Sequence, residues 1–309
     1  MSVNKIIRPL GIGAAAIFGG GLAITGWAAG IERRRFVLRN YQIPALPAGS
    51  EPLRILHLAD FHLAPGQRKK IRFVRQLADL APDLVVLTGD NYGHRDAFSE
   101  LVEILAPFRD VPGISVFGSN DYYEPVLKNP LTYIFPGERK PATQPKLNTD
   151  ELRWLLFDQF GWHDLTNTAV EVTAAGHRIR AIGVDDPHIK RDRLATALEH
   201  FTELPAHPTD IVLGLVHAPY QRILDAYAGL DGMALMLAGH THGGQVCLPG
   251  GRAIVSNCDL PPEYAGGLND WRGVPLHVSR GLGTSIYAPV RTFCAPEASL
   301  ITLQAQDAI

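Results

Sequence analysis

The sequence predicts an α/β domain preceded by a segment able to span a membrane. Three observations carry that expectation. From Leu53 onward, apolar runs of strand length alternate with amphipathic stretches of helical period. Carboxylates and imidazoles recur directly after those apolar runs, where an α/β sheet places its site. Ahead of the alternation, no charged residue occurs from Pro9 to Ile31, a length sufficient to cross a bilayer. The 309 residues, 46% of them hydrophobic, supply a core and exclude disorder for most of the chain. With 29 Lys+Arg against 31 Asp+Glu, the charge is balanced, and no nucleic-acid partner is expected. Cys247, Cys258 and Cys294 are too few and scattered for a disulfide framework or a thiolate zinc site.

At the N-terminus, Pro9–Ile31 reads as one membrane anchor, closing a unit of residues 1–35. A cleavable signal is the rival, with Gly26 and Ala28 flanking Trp27; the basic cluster Arg33, Arg34, Arg35 and Arg39 just beyond argues against it. The distribution of positive charge leans slightly to a single-pass protein with a cytoplasmic catalytic domain. Residues 36–52, with Pro44, Pro47, Gly49 and Pro52, read as an extended linker. The domain is then expected over residues 53–309.

Within it, strands are predicted over Leu53–Ala59, Leu84–Thr88, Ile114–Phe117, Arg178–Val184, Ile211–Val216, Leu235–Ala238, Leu276–Ser279 and Ser299–Leu303. Arg68–Leu80 presents Ile71, Val74, Leu77 and Ala78 on one helical face; Ala97–Phe108 does the same with Leu101, Ile104, Leu105 and Phe108. Further helices are expected over Thr149–Phe160, where Asn148 and Glu151 have capping-box spacing, and over Asp192–Phe201. Tyr122–Lys146, rich in proline and carrying Lys128, Arg139, Lys140 and Lys146, reads as a long functional loop that either meets anionic headgroups or is solvated.

Asp60-Phe61-His62 follows the first strand, Gly89-Asp90-Asn91 the second and Gly118-Ser119-Asn120-Asp121 the third. His217 follows Ile211–Val216, and Gly239-His240-Thr241-His242-Gly243-Gly244 follows Leu235–Ala238. Carboxylates, imidazoles and an amide without a thiolate suit two divalent ions such as Mn, Fe, Zn or Mg. A carboxylate such as Asp90 bridges two ions through its two oxygens. Such a pair activates a shared water and clamps the attacking and leaving oxygens of a phosphoryl displacement, so hydrolysis of a phosphate ester is expected.

These motifs resemble the calcineurin-like metallophosphoesterase family, whose pattern is D-x-H, G-D, G-N-H-[D/E], a lone His and G-H-x-H. The extended run Gly239–Gln245, with Gly281-Leu-Gly-Thr-Ser285, Pro289-Val-Arg291 and Pro296-Glu297, is similar to its YkuE-like, membrane-associated bacterial branch. The resemblance implies a four-layer α-β-β-α sandwich of two mixed sheets with a dinuclear centre at one edge. Position by position, it implies Asp60, His62, Asp90 and His242 around the first ion. Around the second it implies Asp90, an amide, His217 and His240. The third motif departs from the pattern: either Ser119 supplies the amide-position ligand or Asn120 does, and Asn120 is favoured because an amide oxygen is the better neutral ligand. The histidine usual in that motif, a group that touches leaving group or phosphate, is replaced by Asn120. The resemblance implies a phosphodiester substrate, lipid-linked if the anchor holds, cleaved by a metal-bound hydroxide. A phosphomonoesterase of soluble compounds and a degenerate metal-binding scaffold acting through partners are the alternatives.

The remaining polar residues read as structural. His57, inside a strand, is expected to be packed and hydrogen-bonded, and His94 to lie on a solvated loop. Asp121 either orients its neighbours or serves a plain turn. Asp185-Asp186-Pro187-His188 follows the Arg178–Val184 strand and could approach the site, but turn chemistry explains it and it stays outside the ligand set. Arg291 either closes the sheet through a salt bridge or contacts a phosphate, and the structural role is preferred.

Overall fold

Residues 26–126 and 144–306 are described by the computed structural model. Fourteen strands are assigned among them: β1 (Val37–Leu46), β2 (Leu53–Leu58), β3 (Leu84–Leu87), β4 (Gly113–Ser115), β5 (His163–Asp164), β6 (Thr168–Ala174), β7 (His177–Gly183), β8 (Ile211–Val216), β9 (Met233–Ala238), β10 (Cys247–Leu248), β11 (Arg252–Ala253), β12 (Gly267–Trp271), β13 (Val274–Val278) and β14 (Glu297–Ala305). Two six-stranded mixed sheets result, ordered β1-β14-β2-β3-β4-β5 and β12-β13-β9-β8-β7-β6. In the first, β2, β3, β4 and β5 run parallel and β14 pairs antiparallel with β2. In the second, β13, β9, β8 and β7 run parallel, with β12 and β6 antiparallel at the two edges.

The period-two alternation of strand residues sorts them into three apolar layers. Ile55, Val86 and Ile114 from the first sheet meet Ile179, Leu213 and Leu235 from the second, forming the core between the sheets. The opposite faces carry Leu56, Leu58, Val85 and Leu87 in one case and Val212, Val216, Met236 and Ala238 in the other. Helix Arg68–Gln76, helix Phe98–Leu105 and the helix beginning at Thr149 cover the former face; Leu194–Glu203 and Gln221–Ala228 cover the latter. The layers therefore run helix, sheet, sheet, helix. The parallel strands of each sheet deliver their carboxyl ends to one common edge.

Two expectations are corrected. No helix among the described residues is long and apolar enough to cross a membrane, which overturns the single-pass membrane reading. The described end of the expected span instead packs on the domain. Ala28 is buried and its carbonyl accepts from Arg291 N at 3.3 Å, while the Trp27 ring lies 5.7 Å from that of Phe293. Residues 1–25 of that segment lie outside the described residues, as do residues 127–143 of the long basic loop. Second, most of the expected linker is strand: β1 pairs in parallel with β14 from Val37↔Glu297 to Leu46↔Ala305 and buries Ile43 and Leu46. β1 is an edge strand, where Pro44 is tolerated, and the register shifts between Pro44 and Leu46.

Candidate metal centre

Every loop flagged by its polar residues lies at the shared edge of the two sheets. Backbone hydrogen bonds join neighbouring loops beyond the strands: Asp60 N to Gly89 O at 2.9 Å, His62 N to Asp90 O at 3.0 Å, and Gly239 N to His217 O at 2.9 Å. This stitching bends the chain sharply. Asp60, His62, Asp90, His240 and His242 all adopt positive φ, from 41° to 68°, in the left-handed region. Such a conformation costs a non-glycine residue about 1–3 kcal/mol and persists where surrounding structure enforces it, most often at functional sites. Gly118 is needed for close approach: a Cβ there would lie 2.4 Å from Asp90 Oδ1 and 2.6 Å from His217 Cε1.

Asp60, His62 and His242 bring one ligand atom each to within 4.8 Å of the others, and Asp60, Asp90 and His217 do the same. The Asp90 carboxylate faces both ways. Its Oδ2 lies 3.5 Å from His62 Nε2 and its Oδ1 3.5 Å from His217 Nε2. His62 Nε2 and His242 Nε2 are 3.1 Å apart; His240 Nδ1 and His217 Nε2 are 3.3 Å apart. His217 Nδ1 donates to the Thr88 carbonyl at 2.7 Å, so the neutral ring turns its Nε2 lone pair toward both Asp90 Oδ1 and His240 Nδ1. A cation held at that point would be shared by the lone pair and the carboxylate.

The electrostatics point the same way. Burial, followed by the Asp90 charge, pushes the Asp60 carboxyl well above the usual range, although His240 N donates to both its oxygens at 3.1 Å. Burial and then Lys70 lower the His62 imidazole to about 3, and burial and then His62 hold His242 well below its ordinary value. Neutral imidazole is the ligand form. A divalent ion turns the repulsion between Asp60 and Asp90 into attraction. An all-nitrogen and oxygen donor set of this kind fits a hard to borderline ion, while the free thiols of Cys247 and Cys294 contact main-chain carbonyls at Gly243 and His242.

Asn120 lies at the same edge, with its main-chain N donating to Asp90 Oδ1 at 2.7 Å and its Nδ2 donating to the Tyr123 carbonyl at 3.2 Å. Asp121 is an orienting hub. Its Oδ2 accepts from Asp90 N and Gly118 N, both at 2.9 Å, and its Oδ1 accepts from Asn91 N at 2.8 Å and Asn91 Nδ2 at 3.0 Å. Burial and the Asp90 charge raise its carboxyl to about 6. Arg291 is fully buried and donates to the carbonyls of Arg280 and Gly283 at 2.7 Å each, in place of the expected salt bridge; it also lies 3.2 Å from His242 Nδ1. His57 is packed as expected, 2.9 Å from both His277 Nδ1 and Thr88 Oγ1. Three residues outside the expected ligand set also reach this edge, and of them only Asn257 escaped the sequence reading. Asn257 meets His240 Nε2 at 3.2 Å, Asp186 is fully buried, and the His188 ring packs on that of His240. Asp186 and His188 carried a signal, since they too follow a strand; Asn257 carried none.

Residues 53–244, more than half of the chain, match the calcineurin-like phosphoesterase family. The chain is 26% identical over 278 residues to the phosphodiesterase YaeI of Escherichia coli, covering 87% of this chain and 88% of that protein. It is 27% identical over 258 residues to the protein YpbG of Bacillus subtilis, covering 82% of each, and 25% identical over 305 residues to the metallophosphoesterase YkuE of the same organism, covering 91% and 90%. Two mixed sheets, clustered nitrogen and oxygen donors at their common edge, and this match agree: the chain belongs to the calcineurin-like phosphoesterase family and is a hydrolase of phosphoric esters.

Proposed function

We propose that the protein is a dinuclear phosphodiesterase. Asp60, His62, Asp90 and His242 would hold one divalent ion, and Asp90, His217, His240 and the Asn120 amide oxygen the other. The observation that carries this reading is the Asp90 carboxylate, which turns one oxygen to His62 and the other to His217. Asp60 belongs to both donor groups and its carboxylate accepts from His240 N; Asp90 is assigned as the bridge because its two oxygens face imidazoles of different groups. Bound ions supply Lewis acidity and an activated water for in-line displacement at phosphorus. The chain's own residues fix the site: Asp121 holds the Asp90 and Gly118 loops in register, and Thr88 sets the His217 tautomer. The diester preference is supported by the activity named for YaeI.

The test is hydrolysis of bis-p-nitrophenyl phosphate against p-nitrophenyl phosphate by the full chain loaded with Mn, with His240→Ala as control. Metal-dependent cleavage that favours the diester and is lost in the control is expected. Preference for the monoester would replace diesterase by monoesterase, and cleavage that survives in the control would reject the site.

A further inference from the structure

We propose that His188 is a substrate-contacting residue of this centre, donating a hydrogen bond to the phosphoryl group of the bound ester. The inference rests on the reading just given. The turn Pro187–Ile189 leaves the end of β7 beside the loops that carry His217 and His240. Asp186, fully buried, fixes that turn by accepting from His188 N at 2.8 Å. The His188 ring then packs on the His240 ring, with centroids 4.5 Å apart and planes inclined by 48°. On its other side, His188 Nδ1 lies 3.2 Å from the hydroxyl of Tyr220, three residues beyond His217. When that hydroxyl donates to Nδ1, the ring proton sits on Nε2. An imidazole N–H is thus held, only half-buried, at the rim of a cluster whose other imidazoles are largely buried.

The chemistry needs such a donor. As the water oxygen bonds to phosphorus, the P–O bond to the alcohol breaks and its electron pair goes to the alcohol oxygen. The proton lost by the water ends on the released alcohol, and negative charge gathers on the phosphoryl oxygens in between. Asn120 gives its main-chain N–H to Asp90 and its Nδ2 to Tyr123. His57 and His277 pair with each other inside the sandwich, and His94 sits beside Asp96 on an exposed loop. Among the described residues, His188 is the imidazole outside the ligand set whose ring packs on a member of it.

Steady-state hydrolysis of bis-p-nitrophenyl phosphate, inhibition by inorganic phosphate, and bound Mn per chain are to be compared for the full-length protein, His188→Ala and His188→Gln. His188→Ala is expected to keep its Mn, to lose about 10- to 100-fold in kcat/KM, as for one hydrogen bond to a charged acceptor, and to bind phosphate correspondingly less tightly. His188→Gln, which keeps a donor, is expected to recover part of that loss. Unchanged kcat/KM and phosphate affinity in His188→Ala would overturn the proposal. Loss of Mn without rescue by glutamine would overturn it too, by assigning the residue to support of His240. If the unaltered protein binds Mn but hydrolyses nothing, the diesterase reading fails separately, and direct binding of inorganic phosphate still decides the contact.

Discussion

Asp60 is common to the two candidate ligand groups, and Asp90 turns one carboxylate oxygen to an imidazole of each, which is why it is proposed as the bridge. A neutral amide could not offset two dications with both oxygens, so Asp90→Asn is expected to reduce diester hydrolysis more than about 100-fold and to lower bound Mn per chain. Equal Mn and activity in that variant would exclude Asp90 as the bridge. Asp121 makes a different prediction. Its carboxylate takes four N–H donors in a buried place, so Asp121→Asn turns an amine against one of them and is expected to cost about 1–3 kcal/mol of unfolding free energy in urea. A plain turn residue would show no such loss. Residues of this kind were legible because short polar motifs interrupt apolar runs, and the interruption itself marks strand ends. Asn257 was not legible, since it reaches His240 from 17 residues downstream through a loop with no periodic signal. Ser119 and Asn120 could not be separated from spacing alone, because one position along a four-residue turn changes a side chain's direction completely.

At the scale of elements, β1 decides where the domain begins. Its proline content suggested linker, but an edge strand leaves one row of its backbone groups unpaired, so a proline is tolerated there. A chain beginning at Leu53 loses the buried side chains of Ile43 and Leu46 and uncovers the β14 edge. Relative to a chain beginning at Phe36, it is expected to lose about 3–6 kcal/mol by denaturant unfolding. Equal stabilities would return residues 36–52 to a linker. The eight predicted strands were legible because apolar runs flanked on both faces by packing partners stand out from their surroundings. β5 and the β10–β11 hairpin have two-residue strands, too short for periodicity to register. β6 and β12, half-exposed at the sheet edges, mix Thr, Glu, Asn and Asp into the pattern and fade into turn composition.

For the whole molecule, the two sheets are joined by a polar pair set within apolar packing. His57 on β2 and His277 on β13 share a 2.9 Å contact and are both fully buried. Burial holds His277 near 3, and burial followed by His277 holds His57 well below its ordinary value. Unfolded histidine takes up a proton near pH 6.5 while these two stay neutral in the fold, so the unfolded chain binds more protons below that pH. Stability is therefore full above about pH 6.5 and falls as pH drops towards the folded values, by up to about 1.4 kcal/mol per pH unit for each histidine. In chelator, urea unfolding at pH 7.5 and 5.5 is expected to show this slope, to which the buried His62 and His242 also contribute, and His57→Leu combined with His277→Leu is expected to reduce it. An unchanged slope in the double variant would contradict the account of the pair. The two proposed ions act together at the common edge of the sheets. That cooperation is checked by titrating Mn into the chelator-stripped full chain while following bis-p-nitrophenyl phosphate hydrolysis. Activity is expected to rise to a plateau at two equivalents per chain; a plateau at one equivalent, or no hydrolysis with two ions bound, would rule out two-ion hydrolysis.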